Sequence, residues 1–224
     1  EMPAHRDRSF GAKAHCFNAA YEYVRSLPFD VIGNLDADIS FEPDYLEFLI
    51  NCFQEDPTLG VTGTIFKEKG YSSDTHSFEG HNHVAGGCQL FRRACFDQVG
   101  GYVPNKAGGV DWIAVTTARM LGWKTRSFRD KVFFHHRKLG TAERNRLASA
   151  FSYGEKDYYL GGSPVWELFR VAYQMTYKPY GLIGTCLGLG YVWAALRRTP
   201  RPVGPALVRF HRREQLVKLK LILR

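Results

Sequence analysis

Residues 29–38 read Phe-Asp-Val-Ile-Gly-Asn-Leu-Asp-Ala-Asp, a short and largely apolar run that ends in two acids. A run of this length and composition predicts a buried β-strand over residues 29–35. In open α/β sheets ligands bind at the carboxyl ends of strands, which is where Asp36 and Asp38 would lie. Two carboxylates separated by one small residue can share a hard cation such as Mg²⁺ or Mn²⁺. A solvated acid pair in a loop is the alternative interpretation.

Helical and extended patterns alternate on both sides of this strand. Apolar residues at helical spacing predict helices near residues 10–27, 43–53, 92–99 and 110–121, and apolar runs predict strands near residues 59–66, 124–128 and 131–135. Such alternation predicts an α/β fold in which helices cover both faces of a mixed sheet. From about residue 141 the pattern is helical, so we predict two domains, residues 1–140 and 141–224.

Charge is distributed unevenly along the chain. Residues 1–118 hold nine Lys and Arg against sixteen Asp and Glu, a net charge of −7, whereas residues 119–224 hold twenty-one against six, a net charge of +15. Within residues 168–224, eleven Lys and Arg accompany a single acid, Glu214. Such a segment suits an anionic partner, either a membrane surface or a nucleic acid. A basic tail that is simply solvated is the alternative.

Residues 180–196 form an apolar, glycine-rich stretch with basic residues on both sides. At 17 residues, the stretch is at the short limit of what spans a bilayer. We therefore expect shallow insertion at the cytoplasmic face of a membrane, with a single span as the alternative. The five cysteines show no paired spacing, and we expect them to be reduced thiols of a cytosolic protein.

A glycine pair, Gly108-Gly109, precedes the helix that is predicted from Val110, and Asp111 falls in the first turn of that helix. Glycines let the backbone approach a ligand closely. An acid at this position can accept a proton from an attacking hydroxyl group. Acids are also favoured at helix N-termini for electrostatic reasons alone, which is the structural alternative.

Residues 86–93 read Gly-Gly-Cys-Gln-Leu-Phe-Arg-Arg and combine close backbone approach with positive charge. Gly86 and Gly87 would admit a ligand, while Arg92 and Arg93 would line a wall for sugar or phosphate. Alternatively, the two arginines are surface charges on a helix.

Two histidines, His135 and His136, end the last strand predicted in the first domain. Imidazole nitrogens bind metals and donate hydrogen bonds to phosphate. One of the two is therefore a candidate third metal ligand or phosphate contact. Strand-end histidines that are merely half-buried are the alternative.

Six motifs, in their order and spacing, resemble the family 2 glycosyltransferases over about residues 6–140. They are Gly11-Ala12-Lys13-Ala14 with Asn18, Asn34–Asp38, Val61-Thr62-Gly63, Gly86 with Arg92-Arg93 and Val99–Tyr102, Val110-Asp111-Trp112, and Phe134–Arg137. Members of that family have a GT-A fold, a Rossmann-like α/β architecture. They use nucleotide-diphosphate sugars with Mg²⁺ or Mn²⁺ and invert the anomeric centre.

The resemblance implies a role for each candidate residue. Asp36 would lie near the donor nucleotide, Asp38 would bind the metal, and Asp111 matches the catalytic base. One of the two strand-end histidines matches a late histidine near the diphosphate. The acceptor would be a glycan or a lipid-linked hydroxyl, in cell-surface glycan or polysaccharide synthesis. The residues that we assign to donor binding besides Asp36 are Lys13, Gly86, Gly87, Arg92 and Arg93.

Three departures from the family pattern bear on this interpretation. Val110 stands where the family usually has a Glu before the catalytic Asp, and no Q-x-x-R-W motif of processive synthases follows. A doubly wound nucleotide pocket also needs about two more strand–helix units than the single helix predicted before Asp36. Either the chain is a fragment of a longer enzyme, which we expect, or it has lost donor binding.

Two other classes of function compete with glycosyl transfer. Phosphoryl and nucleotidyl transferases also place paired aspartates on strands, although a two-metal site would need a third nearby carboxylate. A non-catalytic module that docks on membranes would explain the basic helical region alone. Nucleic-acid binding is disfavoured because the basic residues are concentrated outside the acidic half and no known reader motif is present.

Overall fold

A computed structural model describes residues 10–68, 70–76, 80–105, 107–136 and 146–223. The chain divides into two compact units, Glu1–Lys138 and Leu139–Arg224. The domain boundary predicted at residues 140/141 lies outside the described residues, as does Arg137.

The first unit alternates helices and strands along its described residues. Its elements are α1 (Phe10–Val24), β1 (Val31–Leu35), β2 (Ile39–Phe41), α2 (Tyr45–Glu55), β3 (Leu59–Glu68), β4 (Tyr71–Ser72), α3 (Ser73–His76), β5 (Cys88–Arg92), α4 (Arg93–Val99), α5 (Val110–Met120) and β6 (Lys124–His135).

The strands form one mixed sheet in the order β1-β5-β3-β6-β2, with β4 paired to β3. Strands β3 and β6 run parallel, and the other pairs are antiparallel. Strands β1, β3 and β6 therefore point the same way, and their carboxyl ends meet at one edge. The predicted mixed α/β sheet is confirmed.

Helices pack on both faces of the sheet because side chains alternate along the strands. In β5, Cys88 and Leu90 face a core that includes Leu49 and Phe53 of α2. Phe91 faces the other core, which α1, α4 and α5 complete. The same strand thus contributes to two hydrophobic layers.

Strand β5 is where the predicted elements differ most from the structure. The helix predicted near residues 92–99 is present as Arg93–Val99, but the strand Cys88–Arg92 before it was not predicted. The strand is hard to recognise because its fully buried second residue, Gln89, is polar. That side chain is satisfied internally, since its amide donates to the Val84 carbonyl at 2.8 Å and its oxygen accepts from the Tyr102 hydroxyl at 2.6 Å.

The described residues of the second unit form a helical bundle in which glycines permit close contact. A Cβ atom on Gly154 would lie 1.9 Å from the Leu187 carbonyl oxygen, and one on Gly190 would lie 2.0 Å from that of Phe151. Two helices therefore meet backbone to backbone. The four helices are α6 (Arg146–Tyr159), α7 (Pro164–Met175), α8 (Leu182–Leu196) and α9 (Pro205–Ile222).

The length and hydropathy of the helices decide whether one of them could cross a membrane. Among the residues that the structure describes, none of the helices is both long enough and apolar enough to cross a bilayer.

A buried acid, Glu167, lies in the second unit between charges from two helices. It belongs to α7, where its carboxylate lies 3.7 Å from the Arg170 guanidinium, which in turn pairs with Asp157 of α6. The pKa of Glu167 is raised to about 8, chiefly by burial and then by the Asp157 charge, while the Arg170 charge acts in the opposite direction. Near neutral pH, Glu167 is therefore protonated in the folded state.

We expect this buried acid to make the second unit less stable as pH rises. An unfolded Glu releases its proton near pH 4.5 and the folded one near pH 8, so the folded state binds more protons between those values. The free energy of unfolding should fall across that window by up to about 1.4 kcal/mol per pH unit. Calorimetric Tm values from pH 5 to 8.5 measure the trend.

Glu167→Gln keeps the shape of the side chain and removes its titration. The variant should lose this pH dependence and exceed the wild type in Tm near pH 8. The same change at Glu155, which is only half-buried on α6, serves as the control. Equal pH dependence in wild type and Glu167→Gln would contradict the prediction.

Candidate functional site

The two acids Asp36 and Asp38 lie on a short segment that joins β1 to β2. These strands stand at opposite ends of the sheet order, so the segment runs along the carboxyl edge of the sheet. The Asp36 amide donates to the Gly87 carbonyl at 2.9 Å, and the His136 amide donates to the Asp38 carbonyl at the same distance. Backbone bonds on both sides thus fix the acid pair at the predicted strand end.

One of the two predicted histidines completes a three-residue cluster with these acids. His135, the last residue of β6, places its Nε2 3.6 Å from Asp38 Oδ1. One ligand atom from each of Asp36, Asp38 and His135 lies within 4.8 Å of the others, and all three residues are half-buried. The neighbouring His136 is exposed and places its Nε2 2.7 Å from the Ser40 hydroxyl.

The cluster fits a divalent cation in both spacing and chemistry. Ligands on opposite sides of an ion are about 4 Å apart when each bond is about 2.1 Å, close to the observed span. Two carboxylates suit Mg²⁺ or Mn²⁺, and an added imidazole favours the transition metal. Asp36, Asp38 and His135 are thus the residues that could hold the ion.

Lys13 of α1 supplies the positive charge beside the acid pair. Its ammonium group forms an ion pair with the Asp36 carboxylate and donates to the Gly86 carbonyl at 3.2 Å. The side chain is 42% exposed and that of Asp36 is 29% exposed, so both remain accessible to a ligand. The structure therefore brings together three residues that we assigned to donor binding.

The peptide groups of Gly86 connect the acid pair to Asp111. The Gly86 carbonyl also accepts from the Asn34 amide at 2.7 Å, while the Gly86 N–H donates to Asp111 Oδ2 at 3.1 Å. A Cβ on Gly86 would lie 2.8 Å from the Cβ of Asp111, so only glycine fits here. A Cβ on Gly87 would lie 3.7 Å from Asp36 Oδ2. The glycine pair is thus packed between the two carboxylates.

Asp111 stands in the first turn of α5, as predicted. The preceding Gly108 and Gly109 have φ angles of +91° and +80°, a conformation that side chains with a Cβ rarely adopt. The glycines therefore serve a sharp turn that directs α5, and with it Asp111, toward Gly86. Both glycines are buried, so their role in the structure is to shape the turn.

Polar residues behind the site belong to the motifs quoted above, but no role was predicted for them. Burial raises the pKa of the Tyr102 hydroxyl well above its usual value, and the charges of Asp111 and Asp36 raise it further. Asn18 clamps the Tyr102 backbone, accepting from its N–H at 3.1 Å and donating to its carbonyl at 2.7 Å. Asn34 also had no predicted role, although a lone amide in an apolar strand is a recognisable signal.

The predicted wall of arginines lies elsewhere in the unit. Arg92, the last residue of β5, lies five positions beyond Gly87, about 17 Å of extended chain, and Arg93 follows it. Arg92 donates to the carbonyls of Phe53, Asp56 and Leu59. Arg93 donates to the carbonyls of Leu27 and Arg25. Both guanidinium groups thus bind loop backbone.

The sequence matches no known family profile and no curated protein. Among solved structures, the chain is similar to a mannosyltransferase from Pyrobaculum calidifontis in complex with GDP-Man and Mn²⁺. The two share 17% sequence identity and superpose with a TM-score of 0.49, over 100% of this chain and 62% of the other. The chain thus spans less than two thirds of the length of that structure.

Proposed function

We propose that the protein is a metal-dependent glycosyltransferase of the GT-A, family 2 type, which transfers a sugar with inversion to a hydroxyl acceptor. The observation that carries the proposal is the cluster of Asp36, Asp38 and His135 at the carboxyl edge of the sheet, tied through Gly86 to Asp111. A metal site on one side and a carboxylate on the other suit a reaction between an anionic donor and a neutral nucleophile. The motif order described above supports the same class.

The donor would be a nucleotide-diphosphate sugar bound along the segment from Asp36 to Asp38. The Lys13 ammonium group lies beside the Asp36 carboxylate. When Asp36 binds the cation instead, Lys13 would be released to pair with a donor phosphate. Asp38, Asp36 and His135 would hold Mn²⁺ or Mg²⁺. When bound, the cation offsets negative charge on the leaving diphosphate.

The transfer step is a single displacement in which Asp111 accepts a proton. The acceptor oxygen forms a bond to the anomeric carbon while the bond from that carbon to the diphosphate oxygen breaks, and the electron pair leaves with the diphosphate. The hydroxyl proton passes to a carboxylate oxygen of Asp111. The Gly86 N–H, which donates to Oδ2, holds that carboxylate in place.

A panel of nucleotide sugars tests the proposal on the full-length protein. We expect one UDP- or GDP-sugar to raise Tm by about 5–10 °C at roughly 100 times its Kd, and only with Mn²⁺ or Mg²⁺ present. The same donor should transfer its sugar to a hydroxyl acceptor. Excess EDTA is the control and should abolish both effects.

Two results of the nucleotide-sugar panel would contradict the proposal and indicate another function. Incorporation of a nucleotide, or release of phosphate without sugar transfer, would indicate a nucleotidyl or phosphoryl transferase. If no nucleotide sugar gave a metal-dependent shift in Tm, the protein would be a non-catalytic module.

A further inference from the structure

Helix α8 exposes an apolar stripe although the rest of the helix is packed in protein. Because successive residues are 100° apart around a helix, the exposed apolar residues fall within an arc of about 100°. Their exposed fractions range from 46% to 75%. They are Leu182, Leu189, Val192, Trp193 and Leu196.

The other side of α8 is occupied by neighbouring helices. A Cβ on Gly184 would lie 2.4 Å from the Val171 carbonyl oxygen of α7, and Gly190 is in similarly close contact with Phe151 of α6. Leu187 and Tyr191 are buried on this side. The stripe is therefore what remains exposed after α8 has packed within its own unit.

Helix α7 extends this apolar surface. Val165, Leu168 and Met175 are 55%, 71% and 39% exposed. The Met175 side chain packs against α8 at Gly184, so the two helices are neighbours and each exposes apolar groups. We call the exposed residues of the two helices the α7–α8 apolar face. An apolar surface of this extent is uncommon on a protein that has no partner there.

Basic residues flank α8 in sequence and are exposed on α9 of the same unit. Arg197, Arg198 and Arg201 follow α8 and are exposed, as is Lys178 before it. The Arg197 guanidinium lies over the Trp193 ring at 5.0 Å. Helix α9 exposes Arg209, Arg213 and Lys220 on one side.

The positive charge of this region indicates which partner would bind the α7–α8 apolar face. Residues 168–224 hold eleven Lys and Arg and one acid, so a second copy of the chain would bring like charge against like. An anionic bilayer offers both an apolar layer and negative headgroups, and an aromatic–arginine pair such as Trp193 and Arg197 suits the boundary between them. Because only one side of α7 and α8 is open, the face would lie in the plane of the membrane surface.

We propose that the α7–α8 apolar face docks the protein on an anionic membrane surface, with exposed arginines and lysines of the same unit bound to lipid headgroups. The proposal concerns the second unit alone and does not depend on the activity of the first. Its test therefore measures binding rather than sugar transfer.

Sedimentation with lipid vesicles tests the docking surface. We expect the full-length protein to bind vesicles of phosphatidylcholine with about 30% phosphatidylserine at least tenfold more tightly than vesicles of phosphatidylcholine alone. The double variant Leu189→Gln/Leu196→Gln should lower the affinity for anionic vesicles by about tenfold or more, since both side chains would enter the lipid. Both leucines are exposed, so the unit should remain folded.

A matched control carries the same chemical change in the first unit. Leu27 and Leu46 are also exposed there, and Leu27→Gln/Leu46→Gln should bind vesicles like the wild type. Equal loss in both double variants, or no preference for anionic lipid, would overturn the proposal. So would self-association in solution that Leu189→Gln/Leu196→Gln abolishes, because a second copy would then occupy the face.

Discussion

Replacing Asp111 with Asn should lower kcat by about 10²–10⁴-fold, the range that general-base catalysis typically provides. Asn cannot accept the hydroxyl proton, but its amide oxygen can still accept the hydrogen bond from the Gly86 N–H, now 3.1 Å from Asp111 Oδ2. The geometry of the glycine pair should therefore persist. Donor affinity should change little, because the proposed donor contacts lie at Lys13 and the acid pair.

Steady-state kinetics with the donor found in the nucleotide-sugar panel measure kcat, and a calorimetric titration of donor with Mn²⁺ measures Kd. Asp130→Asn, the same change at an exposed position of β6, is the control and should behave as the wild type. If Asp111→Asn retained the wild-type kcat but bound donor more weakly, Asp111 would be a nucleotide contact, and the base would lie elsewhere.

Features that depend on neighbouring residues could be predicted from the sequence. An apolar run followed at once by acids specifies both a buried strand and the position of Asp36 and Asp38 at its end, because strand and acids are contiguous. The first-turn position of Asp111 follows in the same way from the glycine pair before α5. The mixed sheet followed from the alternation of helical and extended periodicity, since a helix that follows a strand must pack back onto the sheet.

Contacts between distant segments could not be predicted in this way. The hydrogen bond from the Gly86 N–H to Asp111 spans 25 positions, and the ion pair between Lys13 and Asp36 spans 23. Neither is encoded in local periodicity. Arg92 and Arg93 are the converse case, since they are close to Gly86 in sequence but the extended strand β5 carries them away from it, and their guanidinium groups bind loop carbonyls.

Buried amides are the other source of error. Gln89 and Asn34 lie in strands where apolar residues would be expected, and each is held by a specific hydrogen-bond partner. Such residues weaken the apolar pattern from which strands are predicted. They also mark the site, because a buried polar group is retained only where its hydrogen bonds can be satisfied.

Replacing Asp38 with Ala should abolish Mn²⁺-dependent activity, whereas Asp36→Ala should leave a measurable part of it. Asp38 lies beside His135 and would bind the ion with it, while the Asp36 carboxylate also forms an ion pair with Lys13. Loss of a direct ligand should weaken Mn²⁺ binding by more than the roughly 10–100-fold that loss of an outer-shell partner costs. Asp36→Ala should fall nearer that range, because Asp36 would reach the ion through water or the donor ribose.

Titration calorimetry with Mn²⁺ alone measures the affinity without reference to turnover, and sugar transfer at increasing Mn²⁺ measures its consequence. Asp130→Ala, an exposed acid outside the cluster, controls for the loss of one negative charge. The Asp38 carbonyl accepts a hydrogen bond from the His136 backbone N–H. This bond does not involve the Asp38 side chain, so the segment should remain folded in Asp38→Ala. Full turnover by Asp38→Ala in excess EDTA would exclude the metal role, and stronger loss in Asp36→Ala than in Asp38→Ala would reverse the assignment of the two acids.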